Sequence, residues 1–321
     1  MIYIFLLVGL AMILIGANFL TDAASAVATR FRISQLVIGL TIVAFGTSAP
    51  ELVVSVTSAV KGISDMSIGN VVGSNLFNTT MIVGVTAMVA PITVQRNTVR
   101  AEIPLCILAS CVLLFLSMDV WALLPVSAPN MLSRTDGFIL LSFLAIFMSY
   151  TFSIARENTD TSVKGFTQKI HPIWKDIVLL VLGFALLIYG GDLFVNNASK
   201  IARSWGVSDA MIGLTLVAVG TSLPELATSV VAALKKNPEL AIGNAIGSNL
   251  MNIFLVLGVS ASVKPLSLGK IESVDLWYLI CVSFVLFFVS FILGHRRILR
   301  REGALLVLLY LGYIVYKIAR I

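Results

Sequence analysis

Charge is scarce in this chain. Asp, Glu, Lys and Arg make up 12% of its 321 residues, against roughly 25% in a typical soluble domain. That excludes a soluble globular protein, and no stretch is both long and polar enough for a separate soluble domain. Histidine and cysteine are scarcer still, at two and three residues. Cys106, Cys111 and Cys281 lie inside apolar runs, where a free thiol serves as a small hydrophobe. His171 and His295 sit in basic connecting segments far apart in sequence, which leaves no set of ligands for zinc. No cofactor is expected. A basic stripe interleaved with exposed aromatics is also missing, so nucleic acid is not an expected partner despite a formal net charge of +6.

Apolar residues are abundant: 58% of the chain is hydrophobic and its mean hydropathy is +1.00. The expected surroundings are therefore a lipid bilayer, in an all-α integral membrane protein. Runs near the roughly 17–25 residues that span hydrocarbon predict ten transmembrane helices. The first five are 2–19, 33–60, 68–90, 101–118 and 137–154; the second five are 173–194, 207–234, 240–263, 274–293 and 304–317. The first run lacks a basic flank on its N-terminal side, so it reads as helix 1 rather than a secretory signal. The stretch 119–134, with Trp121, Pro125 and Pro129, reads as an interfacial loop. Residues 155–172 form a polar linker between residues 1–154 and 173–321.

Those two parts repeat one another. Shifted by 174, Gly16 to Asn78 lies on Gly190 to Asn252 without a gap, and 29 of 63 positions are identical. Five helices in each part is an odd number, so the second copy would enter the membrane upside down, as two inverted-topology repeats. Loop charges fit this expectation. With the N-terminus outside, fourteen of the 22 Lys and Arg residues fall on inner loops, the bias that sets membrane orientation. Both termini are then outside and the linker cytoplasmic. Trp174 and Trp277, each near the start of a helix, suit interfacial anchors.

The best conserved stretch between the copies is AFGTSAPE at positions 44–51, returning as AVGTSLPE at 218–225. Each places a carboxylate, two hydroxyls, a Gly and a Pro inside an apolar run. A carboxylate near mid-bilayer costs at least about 2.5–3.5 kcal/mol, and a bound cation would offset it. Pro50 has no N–H, so the Gly46 carbonyl loses its helical donor. Helices 2 and 7 are therefore expected to be broken, and irregular backbone at membrane depth belongs where it lines a cavity. Freed carbonyls, Thr47, Ser48 and Glu51 are all oxygen donors, the set that Ca²⁺ and Na⁺ prefer. A second motif follows each break: GNVVGSNLFN at 69–78 and GNAIGSNLMN at 243–252. Ser74 and Asn78 share a helix face, as do Ser248 and Asn252. Gly69 and Gly73, four apart, form a face for close helix packing. Asn70, Asn75, Asn244 and Asn249 suit either cation contacts or hydrogen bonds between helices.

GTS-x-PE followed by GN-x-x-GSN-x-x-N, twice, resembles the repeats of the cation/Ca²⁺ exchanger superfamily, in particular its sodium/calcium exchanger branch in prokaryotic form. The resemblance covers residues 16–91 and 190–265. It implies an antiporter with Ca²⁺ and Na⁺ as its substrates, in the cytoplasmic membrane, with no obligatory protein partner. The ligand positions it implies are Ala44 (backbone), Thr47, Ser48, Glu51, Ser74 and Asn78, with Ala218, Thr221, Ser222, Glu225, Ser248 and Asn252. In the family the Glu pair binds Ca²⁺ directly and also serves Na⁺; the Thr, Ser and carbonyl positions serve mainly Na⁺. One departure stands out. Some members, including potassium-dependent ones, have Asp where this chain has Asn252, so the acidic set here is Glu51 and Glu225 alone. That favours exchange without K⁺. The alternatives are Ca²⁺/H⁺ or K⁺-assisted exchange, should either carboxylate take up a proton or K⁺ join the site.

Two other classes compete. A cation channel would need a conductive path rather than paired occluding motifs. An intramembrane enzyme would need a nucleophile and base, and Ser48 and Ser222 have no His or Lys within their helices; no enzymatic activity is expected. The resemblance further implies movement of helices 1 and 6, expected here across a core of helices 2, 3, 7 and 8; each of the two ends near a glycine stretch able to bend, Gly16 and Gly190–Gly191.

Overall fold

The computed structural model describes residues 1–118, 130–157, 172–205, 218–269, 273–293 and 296–319. It is built almost wholly of helices. In order they are α1 (Ile2–Phe31), α2 (Gln35–Thr47), α3 (Ala49–Lys61), α4 (Ser64–Val89), α5 (Thr98–Ser117) and α6 (Arg134–Glu157). The second part holds α7 (Ile173–Ser204), α8 (Ala218–Thr221), α9 (Leu223–Leu234), α10 (Pro238–Val263), α11 (Ser273–Phe291) and α12 (Arg300–Ile318). Seven of these are long and apolar enough to cross a membrane, or eight if α2 and α3, bent by 45° at their junction, make one span. The expected start of helix 7 and most of the expected linker lie outside the described residues, as does most of the loop 119–134.

The first and sixth helices run further than hydropathy suggested. Helix α1 continues to Phe31 although polar residues begin at Asn18, because its small and polar side chains are accommodated. Thr21 Oγ1 donates to the Ala17 carbonyl at 2.7 Å and Thr29 Oγ1 to that of Ser25 at 2.8 Å. Ala23, Ala24 and Ala28 are buried. The helix stops where Arg32 turns left-handed at φ 55° and the Ile33 N–H reaches back to the Ala28 carbonyl at 2.9 Å, the usual way of satisfying terminal carbonyls.

Helices α1 and α7 lie antiparallel along a seam of four glycines. A Cβ on Gly9 would come within 2.9 Å of the Gly190 carbonyl oxygen, and one on Gly16 within 2.9 Å of that of Gly183. Such closeness is what glycine permits between membrane helices. Both helices run unbroken through Gly16 and Gly190–Gly191, and Gly16 and Gly190 pack against the facing helix. The apolar core divides accordingly. Ile13, Ala17, Leu20 and Leu187 of this pair cluster with Val231 and Ala232 of α9. A larger core joins α4, α5, α10 and α11 through residues such as Leu76, Ile103, Phe254 and Leu279.

Two small antiparallel pairings clasp the halves together. Strand β1 (Ile92–Thr93) pairs with β4 (Arg297–Ile298), and β2 (Met131–Leu132) with β3 (Leu266–Ser267). Each joins a strand of the first half to one of the second. The β1–β4 clasp belongs to one end of the bundle, which contacts bind together. Arg30 reaches Asp176 at 3.5 Å, Asn237 donates to Gln35 at 3.0 Å, and Gln95 donates to Glu239 at 2.6 Å. Arg32, Lys235, Lys236, Arg96, Arg296 and Arg297 belong to the same end. Helices α1 and α12 start and finish so that Met1 and Ile318 lie at the other end.

Candidate cation site

Each half presents the same broken helix. The first break falls at Ser48 (φ −82°, ψ 5°), with Pro50 and Glu51 in the first turn of α3. The second falls at Ser222 (φ −93°, ψ 8°), with Pro224 and Glu225 opening α9. A helix N-terminus favours a carboxylate in its first turn, so the break both frees backbone groups and supports the acid beside them.

The two halves interlock at these breaks. Glu51 and Glu225 are fully buried. Oε1 of Glu51 accepts from Ser222 at 3.0 Å and from Ser74 at 3.4 Å, and the Ser222 and Ser74 hydroxyls lie 3.0 Å apart. Oε1 of Glu225 accepts from Ser48 at 3.2 Å. Thus each acid is held by a serine from the opposite broken helix. Ser248 Oγ lies 3.5 Å from Thr47 Oγ1.

Asparagines brace this arrangement, and for these the sequence left two roles open. The Asn70 amide donates to the Glu51 carbonyl at 3.3 Å and to Ser55 at 3.0 Å, while its oxygen accepts from Thr221 at 3.4 Å. The Asn244 amide donates to the Glu225 carbonyl at 3.2 Å and to Ser229 at 3.0 Å, while its oxygen accepts from Thr47 at 3.2 Å. Ser55 and Ser229 were not singled out in sequence; their only signal was identity between the copies. Asn75 and Asn249 stitch α4 to α10: Asn75 donates to the Asn249 carbonyl at 3.2 Å, and Asn249 to Thr79 at 2.8 Å.

Besides Oδ1 of Asn249, four oxygens of the expected ligands are left over. Oε2 of Glu51, Oε2 of Glu225, Oδ1 of Asn78 and Oδ1 of Asn252 are buried without a hydrogen-bond partner. Buried polar atoms are nearly always paired, so unpaired oxygens on four residues of the two motifs make this the candidate place for a cation. Asn78 and Asn252 lie in π-helical segments, Phe77–Ile82 and Asn252–Leu257, a distortion frequent at functional sites. Asn252 donates its amide to Asn75 at 3.1 Å, which directs its oxygen elsewhere. The Ala44 carbonyl accepts the Ser48 N–H at 3.0 Å and lies 3.4 Å from the Thr47 hydroxyl. Ala218 opens α8. Among the described residues no three acidic, His or Cys groups come together, so the donor set is two carboxylates plus neutral oxygens. That suits hard cations and not a thiolate or imidazole metal.

The family model described as sodium/calcium exchanger protein matches residues 1–153 and 175–319. The chain belongs to the sodium/calcium exchanger family. It is 39% identical over 321 residues to the putative antiporter CaxA of Alkalimonas amylolytica, covering 97% of this chain and 96% of the relative. It is 33% identical to the sodium/calcium exchanger MaX1 of Methanosarcina acetivorans, covering 98% and 97%. A solved structure of the sodium-calcium exchanger NCX_Mj, soaked with 10 mM Na⁺ and zero Ca²⁺, superposes with a TM-score of 0.82 at 30% identity, covering 98% of this exchanger and 99% of that chain. The exchanger is thus a membrane protein of a transporter family that exchanges cations for Ca²⁺, not a member of a catalytic class.

Proposed function

We propose that this exchanger is a secondary antiporter that moves Ca²⁺ against Na⁺ across the cytoplasmic membrane by alternating access. One observation carries the reading: two buried carboxylates, each gripped on one oxygen by a serine of the opposite broken helix, leave their other oxygens unpaired. Glu51 and Glu225 bind Ca²⁺ directly, with Ser74, Asn78, Ser248 and Asn252 supplying neutral oxygens. Thr47, Ser48, Thr221, Ser222 and the carbonyls of Ala44 and Ala218 complete the places for Na⁺.

Charge explains the coupling. With Asn at 252 the pair carries −2 when ionised, which one Ca²⁺ or two Na⁺ neutralise; a third Na⁺ would leave one positive charge. An empty −2 cavity is costly to move through hydrocarbon, so the loaded forms switch and the empty one does not. Both ions need the Glu pair, so they exclude each other.

We read the architecture as ten spans in two inverted five-helix repeats, 1–154 and 173–321, joined by 155–172. The interchangeable bonding of the two breaks supports this, as do the crossed clasps and a family match in two stretches. Adding the short α8–α9 pair and α12 to the eight spans makes ten. The end bearing Arg96, Arg296 and Lys235 faces the cytoplasm, and both termini face outward. The glycine-seamed pair α1 and α7 moves as one body over the breaks, where a Cβ on Gly46 would collide with the Phe184 ring of α7.

Vesicles containing the purified exchanger test this. Ca²⁺ uptake that requires an outward Na⁺ gradient supports it; uptake that ignores Na⁺ and follows a pH gradient would replace it with Ca²⁺/H⁺ exchange. That second reading draws on the same unpaired carboxylate oxygens, which can hold protons as well as a cation. Varying K⁺ separately tests K⁺-assisted exchange, against which the neutral Asn252 argues.

A further inference from the structure

A basic recess lies away from the ion site, at the β1–β4 clasp. A cavity of about 480 Å³ is lined by Arg96, Arg296 and Arg297, with the polar side chains of Thr93, Gln95 and Asn97. A second, of about 350 Å³, adjoins it through Arg96 and Arg296 and adds Arg100, Val99 and Phe291. Four guanidinium groups thus border two adjoining hollows, the second the more apolar.

Their placement is built into the backbone. The Val94 N–H donates to the Arg296 carbonyl at 2.8 Å, and the Arg296 N–H to Ser290 at 3.1 Å. These bonds hold Arg296 at a left-handed φ of 68°, a conformation that a non-glycine residue adopts rarely. Arg96 and Arg100 are four apart and project from one side of the start of α5. None of the ion pairs among the described residues involves these four arginines. The carboxylates of the neighbouring segments have neutral partners: Glu239 accepts from Gln95 at 2.6 Å, Glu302 from the Leu299 N–H at 2.9 Å, and Glu102 from Tyr150 at 2.8 Å. Four like charges gathered with no direct ion pair repel one another, and an anion relieves that.

We propose that this recess binds the phosphate headgroup of an anionic phospholipid. Arginine forks match phosphate oxygens in pairs, and basic pockets at the membrane surface between spans are where such headgroups bind. The polar hollow takes the phosphate and its glycerol. The adjoining hollow, with Phe291 and Val99, lies where the start of an acyl chain would leave.

Native mass spectrometry of the full-length exchanger, with phosphatidylglycerol or phosphatidylcholine added in detergent, tests this. Phosphatidylglycerol is retained about tenfold better, and Arg96→Gln with Arg296→Gln lowers that retention about tenfold. Arg301→Gln, which removes the same charge outside the recess, leaves it unchanged. Should the double variant not fold, Arg96→Gln alone still lowers retention about threefold. Equal retention of both lipids, or of phosphatidylglycerol by wild type and Arg96→Gln, overturns the proposal. So does full displacement of the lipid by millimolar inorganic phosphate, which would make the recess a free-phosphate site.

Discussion

The two halves of this exchanger agree at the centre and diverge toward the edges. At the breaks, the Asn70 and Asn244 networks match bond for bond, with the serine contacts both at 3.0 Å. On the helices that follow the clasps, they part. Asp275 of α11 is buried and accepts from Tyr313 at 2.9 Å and Lys317 at 3.0 Å. Glu102 of α5 is likewise buried and accepts from Tyr150 at 2.8 Å, but has no ion-pair partner among the described residues. Where the two halves meet at the breaks, each constrains the other. Where each half packs alone, the same acid-and-tyrosine device has taken different partners.

The largest expected effect tests the central equivalence. Glu51→Gln and Glu225→Gln keep shape and remove one charge each. At an effective dielectric of about 20, a unit charge about 4 Å from another is worth about 4 kcal/mol, and more beside a dication. Ca²⁺ affinity should fall about a thousandfold or more in either variant. Wild-type flux in one of them would show that the halves do not share the ion.

Next comes the divergent pair. Lys317→Met leaves the Asp275 carboxylate buried without its ammonium. Removing one partner of a buried pair costs about 3–5 kcal/mol, and the partly exposed lysine places this at the low end. Glu102→Gln keeps an acceptor for Tyr150 and loses no cation, so it should cost under about 1 kcal/mol. Unfolding midpoints in detergent measure both, and equal losses would erase the distinction.

The cross-half serines give a finer comparison. Ser48→Ala and Ser222→Ala each remove a hydrogen bond to a carboxylate, worth about 1.5–3 kcal/mol, so each should weaken Ca²⁺ binding about tenfold. A much larger loss from one would show that the breaks are not interchangeable. Smaller still is the expected change in binding when the glycine seam is filled. Gly9→Leu or Gly190→Leu overpacks α1 against α7 at a cost of about 1–3 kcal/mol. Flux should fall while equilibrium Ca²⁺ affinity stays within about twofold; loss of affinity would tie the seam to the site itself.

Much of the centre was legible in sequence because a duplication prints the same chemistry twice. Glu51, Ser48, Ser74 and Asn78 stood out through Glu225, Ser222, Ser248 and Asn252 at one fixed offset. What could not be read was geometry set by the other half. A two-residue strand such as Ile92–Thr93 has no period to detect, so the clasps were invisible. The length of α1 was hidden because hydropathy falls at Thr21 and Asp22, while helix continuity depends on local bonds and burial against α7. The packing at Gly16 and Gly190 was hidden for a related reason: a glycine's missing side chain reads the same whether it loosens a helix or admits a neighbour.

The clasps have a consequence for synthesis. Ile92 pairs with Ile298 and Leu132 with Leu266, so both first-half strands emerge long before their partners exist. Open strand edges and pairings distant in sequence slow folding and invite misassembly. The Ser222 bond to Glu51 waits in the same way. Until Ser222 of the second half has been made, Glu51 has only the Ser74 hydroxyl of its own half to hold it.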